Sequence, residues 1–141
     1  MSAPVRLPSH LAHEMVVHCE EGRPNEACGL LGAVDGEIVK VFRMTNAAVS
    51  PVRYALEPRE QLAVENALEE NGWSLAGVFH SHTRTDAYPS PTDVRLAVGD
   101  IPYLIVSLAS EPADIRAYRI VKERWEDETG DIEEVPVEIT G

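Results

Sequence analysis

His80 and His82 stand two apart at the end of an apolar run, and Ser90 and Asp93 follow across a short polar loop. If residues 74–82 form a strand, its period of two turns both imidazoles to one face, about 7 Å apart along the backbone, where both can grip one ion. A carboxylate must then come from another element, and Asp93 is placed to supply it. Two neutral imidazoles and a carboxylate leave the fourth tetrahedral position of a zinc ion to water, as catalytic sites do and structural sites do not. Residues 90–93 also read as a plain helix start, with Ser90 as cap, Pro91 at the first helical position and Asp93 near the positive end of the dipole. Both roles hold together, because a helix start would fix Asp93 relative to the strand. A histidine pair alone is commonly only a hydrogen-bonded pair; the recurrence of four residue types at fixed spacing carries the metal reading.

The pattern is H-x-H, seven residues, S, two residues, D, with an upstream glutamate, Glu26, in the run from Asn25 to Gly32. It resembles the JAMM/MPN+ family of zinc isopeptidases, and the likeness runs from about residue 8 to about residue 120, taking in Thr45, Asn46, Ser50, Pro51 and Tyr54. The resemblance implies that His80, His82 and Asp93 bind one zinc per chain, that Glu26 is the general base acting on water, and that Ser90 helps stabilise the oxyanion. One departure is Thr83, where the family often has proline directly after the second histidine; it alters the stiffness of the loop and removes no ligand. The stretch from His80 to Ser90 is similar to that of actinobacterial members that release cysteine from a ubiquitin-like sulfur-carrier protein. The implied partner is a carrier with a Gly-Gly C-terminus, and the implied reaction frees cysteine, a step of cysteine biosynthesis.

Arg84 and Tyr88 lie in the loop beside the open metal position and are the expected substrate contacts, Arg84 because a guanidinium pairs with a carboxylate bidentately. A broader isopeptidase removing ubiquitin-like modifiers from lysines is the near alternative, and a metal-free MPN scaffold the alternative of another class. Manganese or iron would also accept two His and one Asp. A zinc deaminase would need a P-C-x-x-C ligand pair that the sequence lacks.

The 141 residues suit a single domain, core about 8–121 and an edge strand at 133–139, large enough to need no disulfide. A net charge of −12 argues against nucleic acid or an anionic membrane as partner. With two cysteines, no signal-like start and no long apolar run, the expectation is a cytoplasmic protein with free thiols. Cys28 lies two residues from Glu26, but a small buried hydrophobe is the expected role, as for Cys19.

The elements that must position these residues follow from periodicity and punctuation. A first helix runs from about Pro8 to Gly22 with Ser9 as cap and Leu11, Met15 and Cys19 inward; its histidines, 10, 13 and 18, are expected in solvent. A strand from Ala27 to Val34 turns at Asp35-Gly36 into a second, Glu37 to Met44, whose apolar Ile38 and Val41 alternate less cleanly than an ideal edge strand would. A helix opens at Glu57-Pro58 with Leu62, Val64, Ala67 and Leu68 inward and ends at Asn71-Gly72, ahead of the ligand strand. After a third helix from Pro91 to about Val98, Tyr103 to Leu108 reads as a strand buried on both faces, and Asp114 to Val121 as its half-exposed neighbour. Val135 to Ile139 is demoted to an edge strand by Pro136. The class is α/β, a single MPN-type domain in which helices pack on a mixed sheet.

Overall fold

The computed structural model describes residues 3–141. Among these residues a mixed sheet of eight strands carries three helices. The chain order is β1 (Val5–Pro8), α1 (Ser9–Glu21), β2 (Cys28–Val34), β3 (Glu37–Met44), α2 (Pro58–Asn71), β4 (Ser74–His82), α3 (Pro91–Leu96), β5 (Tyr103–Ser107), β6 (Asp114–Val121), β7 (Asp131–Val135) and β8 (Val137–Thr140). Across the sheet the order is β7-β6-β5-β4-β2-β3-β1-β8. The β4–β5, β1–β3 and β1–β8 pairs are parallel and the rest antiparallel.

The β2–β3 hairpin turns through Asp35 and Gly36, both at positive φ (50° and 81°), the requirement of a two-residue turn that glycine meets without strain. Along β2 and β4, alternate side chains divide between two cores. Leu31 and Phe79 pack with Leu11, Met15 and Cys19 of α1; Leu30 and Val78 pack with Val64 and Leu68 of α2 and Val94 of α3. His80 and His82 follow Val78 at intervals of two, so β4 presents them on the α2/α3 face, and Ser81 on the α1 face.

Several expectations are corrected. The short β1 precedes α1 directly, so Pro8 occupies the cap position without a side-chain bond, and Ser9 Oγ instead donates to the Gly141 carbonyl (3.1 Å). The strand β3 is internal, because β1 covers its outer side. On α2, Val64 and Leu68 are buried, but Leu62, about 200° round from Val64, is 58% exposed. The helix α3 stops at Leu96 because the Tyr103 hydroxyl takes both the N–H (2.9 Å) and the carbonyl (2.6 Å) of Val98, replacing a further helical turn. The last apolar run is two strands rather than one: Pro136 breaks it, leaving β7 on one sheet edge and β8 on the other. His18, expected in solvent, is half-buried; its Nε2 lies 3.0 Å from the Cys28 carbonyl and its ring meets Phe79 edge-on.

Candidate metal centre

Strand β4 ends with both imidazoles in the interior, and the start of α3 brings Asp93 to them. His80 and His82 have their Nε2 atoms 3.2 Å apart, and Asp93 Oδ2 lies 3.2 Å from the first and 2.9 Å from the second. All three side chains are buried. Ligands about 2.0–2.1 Å from a tetrahedral ion stand about 3.3 Å from one another, so the three atoms lie at the edges such an ion requires.

The protonation chemistry makes the same demand. His82 Nδ1 is 2.8 Å from the Asp86 carbonyl, which can only accept, so that nitrogen carries the proton. A neutral His82 then aims a bare Nε2 lone pair at a carboxylate oxygen, an arrangement that a cation or proton must relieve. Burial works against protonating His80 and lowers it, the Asp93 contact offsetting this only in part. Burial also opposes the charge on His82, but Asp93, the Asp86 carbonyl and Glu26 outweigh it and raise that group. Burial likewise opposes the Asp93 charge, yet its contacts with the His80 and His82 imidazoles and with the Ser90 N–H hold this carboxyl well below the usual range.

Ser90 and Asp93 close a capping box: Ser90 Oγ accepts the Asp93 N–H (3.0 Å) and Asp93 Oδ2 accepts the Ser90 N–H (3.0 Å). The helix start thus also orients Asp93 toward the two imidazoles. Because the Ser90 oxygen is occupied as acceptor, its hydroxyl proton remains to be donated elsewhere.

Glu26 reaches this place from the segment before β2 and is held by its backbone. Its N–H donates to the Ser50 carbonyl (2.9 Å) and its carbonyl accepts from Asn46 Nδ2 (2.9 Å). The next residue is clamped to β4 between the two histidines: Ala27 N–H donates to Ser81 Oγ (2.9 Å), and Ser81 N–H to the Ala27 carbonyl (3.0 Å). The Glu26 side chain is only 5% exposed, and its Oε1 has no partner among the described residues. Burial pushes its carboxyl up to about 8, with the Asp93 charge acting in the same direction and His82 against it. Glu26, His82 and Ser90 line one cavity of about 520 Å³, whose rim includes Arg84.

The sequence-expected set thus assembles, with one exception. Tyr88 is 52% exposed and stacks edge-on against Tyr118 (5.5 Å), away from the cavity wall. Cys28 and Cys19 are buried free thiols, pushed by burial up to about 12, which suits packing and not nucleophilic attack. The expected acceptor behind each imidazole is present for His82 only; His80 Nδ1 has no partner among the described residues, and its ring is instead covered by Tyr54, stacked at 4.4 Å. Three successive carbonyls of the loop after β4 are caught from below: Thr85 by Ser107 Oγ (2.6 Å), Asp86 by His82, and Ala87 by the Tyr118 hydroxyl. Ser81, Ser107, Tyr118 and Arg23, which also lines the cavity, were not foreseeable as site residues from motif spacing.

The family described as prokaryotic homologs of the JAB domain matches residues 8–121. The chain is 40% identical over 119 residues to a CysO-cysteine peptidase of Mycobacterium tuberculosis, covering 82% of each. It is 33% identical over 114 residues to a desampylase of Haloferax volcanii, covering 75% of this chain and 82% of the relative. The solution structure of a protein from Desulfitobacterium hafniense superposes with a TM-score of 0.79 at 34% identity, covering 96% of this chain and 93% of that one. Among the described residues, no helix is long and apolar enough to cross a membrane.

Proposed function

The chain belongs to the family of prokaryotic homologs of the JAB domain, and on that premise we propose that it is a zinc-dependent hydrolase cutting after the C-terminal glycine of a ubiquitin-like sulfur-carrier protein to release cysteine. The observation that carries this reading is the convergence of His80, His82 and Asp93 beside a cavity into which the buried, unpartnered Glu26 projects. His80, His82 and Asp93 would hold one ion per chain, and such an ion, when bound, supplies a Lewis acid that acidifies water and polarises the scissile carbonyl.

The chain's own residues do the rest. Glu26 Oε1, free of other bonds, takes a proton from the attacking water and returns it to the leaving amine; burial keeps the carboxyl within range of both transfers. The Ser90 hydroxyl, whose oxygen already accepts the Asp93 N–H, donates to the oxygen that gains charge. Asp86 fixes the tautomer of His82 through its carbonyl.

Support for cysteine as the leaving group is the 40% identity to a CysO-cysteine peptidase. The desampylase relative favours the second reading, removal of modifiers from lysines, and is the more distant at 33%. The proposed setting is the cytoplasm, where both thiols stay reduced. The test combines metal content with release of cysteine from a carrier–cysteine adduct. About one zinc per chain, lost in His82→Ala, and turnover lost with zinc retained in Glu26→Gln, are expected. No bound metal and no turnover after zinc is supplied would leave the scaffold reading standing.

A further inference from the structure

The cavity that holds Glu26, His82 and Ser90 is also lined by two arginines from different segments, Arg23 before β2 and Arg84 after β4. Acidic residues outnumber basic ones 24 to 12 in this chain. Five of the ten arginines find them, Arg6, Arg43, Arg116, Arg119 and Arg124, whereas Arg53, Arg59 and Arg95, outside the cavity lining, form no ion pair among the described residues. Among the described residues, neither Arg23 nor Arg84 faces a carboxylate within ion-pair distance.

Arg23 is nevertheless anchored. One guanidinium nitrogen donates to the Leu108 carbonyl (3.0 Å), and the Leu108 N–H donates to the carbonyl of His82 (2.9 Å), so its head is tied to the end of the ligand strand. A guanidinium has five N–H donors in a planar fork, and one such bond leaves most of the fork free. Two like charges lining one cavity repel unless an anion joins them.

The chemistry of the adduct says which anion. A Gly-Gly tail carries no side chain and no charge next to the bond that breaks. A cysteine joined through its α-amine places a free carboxylate one carbon from the scissile nitrogen; a lysine joined through its ε-amine places none there. Resting on the hydrolase reading above, we propose that Arg23 and Arg84 form a carboxylate clamp that reads the free α-carboxylate of the leaving amino acid. The clamp makes the enzyme select single amino acids at the end of a carrier over lysine-linked conjugates.

The test uses the full chain with zinc and three adducts of one carrier: the C-terminal cysteine, its cysteinamide and a lysine isopeptide. Wild type should hydrolyse the free acid with a kcat/KM at least about tenfold above the amide, the scale of a charge-assisted bond. Arg23→Met and Arg84→Met should each bring that ratio toward one, with the change in KM. Binding is read separately in Glu26→Gln, whose Kd for the acid should be about tenfold below that for the amide, a gap each added arginine substitution closes. Should Arg23→Met fail to fold, Arg23→Lys keeps a donor for Leu108 without the fork and must still lower the ratio. Equal kcat/KM and Kd for acid and amide in the unsubstituted arginine background would overturn the clamp. A binding preference for the acid without hydrolysis of any adduct would overturn the hydrolase reading and leave the clamp intact.

Discussion

Replacing Ser81 with alanine isolates the device that places Glu26. The Ser81 hydroxyl is fully buried and accepts the Ala27 N–H at 2.9 Å; its loss strands a backbone donor in the core while the return bond, Ser81 N–H to the Ala27 carbonyl, survives. An unsatisfied buried donor costs about 1–3 kcal/mol, a sizeable part of the roughly 5–15 kcal/mol that holds a domain together. The same change removes half of a two-bond clamp one residue from Glu26, whose remaining ties are to Ser50 and Asn46. A misplacement of about 1 Å at a reacting group is worth up to about 100-fold in rate. Because no ligand atom is altered, Ser81→Ala should lose about 1–3 kcal/mol by urea denaturation, keep its metal, and show kcat reduced by about 10- to 100-fold at little-changed KM. Retained kcat together with a stability loss below about 0.5 kcal/mol would refute the clamp argument.

Tyr118→Phe and Ser107→Ala each free one carbonyl of the loop that orients His82, and metal affinity measured by chelator competition should fall by about 10- to 100-fold with the fold intact; unchanged affinity in both would show that the loop needs no such tether. Gly29→Ala would set a Cβ 2.3 Å from the Phe42 carbonyl oxygen and 2.4 Å from the Phe79 ring, and should cost at least about 3 kcal/mol, seen as a lowered urea midpoint. Folding holds the thiols of Cys19 and Cys28 neutral from the ordinary value of 9.0 up to about 12, while the unfolded chain ionises. The unfolded state therefore binds fewer protons in that window, and stability falls as pH rises through it, by up to about 1.4 kcal/mol per pH unit for each thiol. A Cys19→Ala/Cys28→Ala variant should show a flatter slope over the same range, and an equal slope would remove the thiols from the account.

The convergence of His80, His82 and Asp93 was readable because its geometry is local. Two residues on a strand share a face, and a Ser–Pro–x–Asp start fixes its own first turn, so the pattern that carries the family resemblance also sets where these side chains meet. The positioning residues were hidden for a physical reason: Ser107, Tyr118 and His82 act on backbone carbonyls, and a carbonyl has no letter in a sequence. Arg23 needed the cavity before its charge meant anything, and the edge-on contact of Tyr88 with Tyr118, outside the cavity lining, joins two residues thirty positions apart that no local pattern links. The strand β1 escaped notice since its four residues have no pattern of their own; they pair with residues 137–140, at the far end of the chain.

That pairing bears on how the molecule comes together. Val5 meets Val137, and the Val5 N–H donates to the carbonyl of Pro136, the single residue joining the two outermost strands of the sheet. The β2–β3 hairpin closes through two residues and can form early, whereas the loop closed by β1 and β8 is almost the whole chain, and long loops pay their entropy before any contact rewards it. The sheet edge formed by β1 and β8 is thus among the last parts to close, whereas the pairing of β1 with β3 spans far fewer residues.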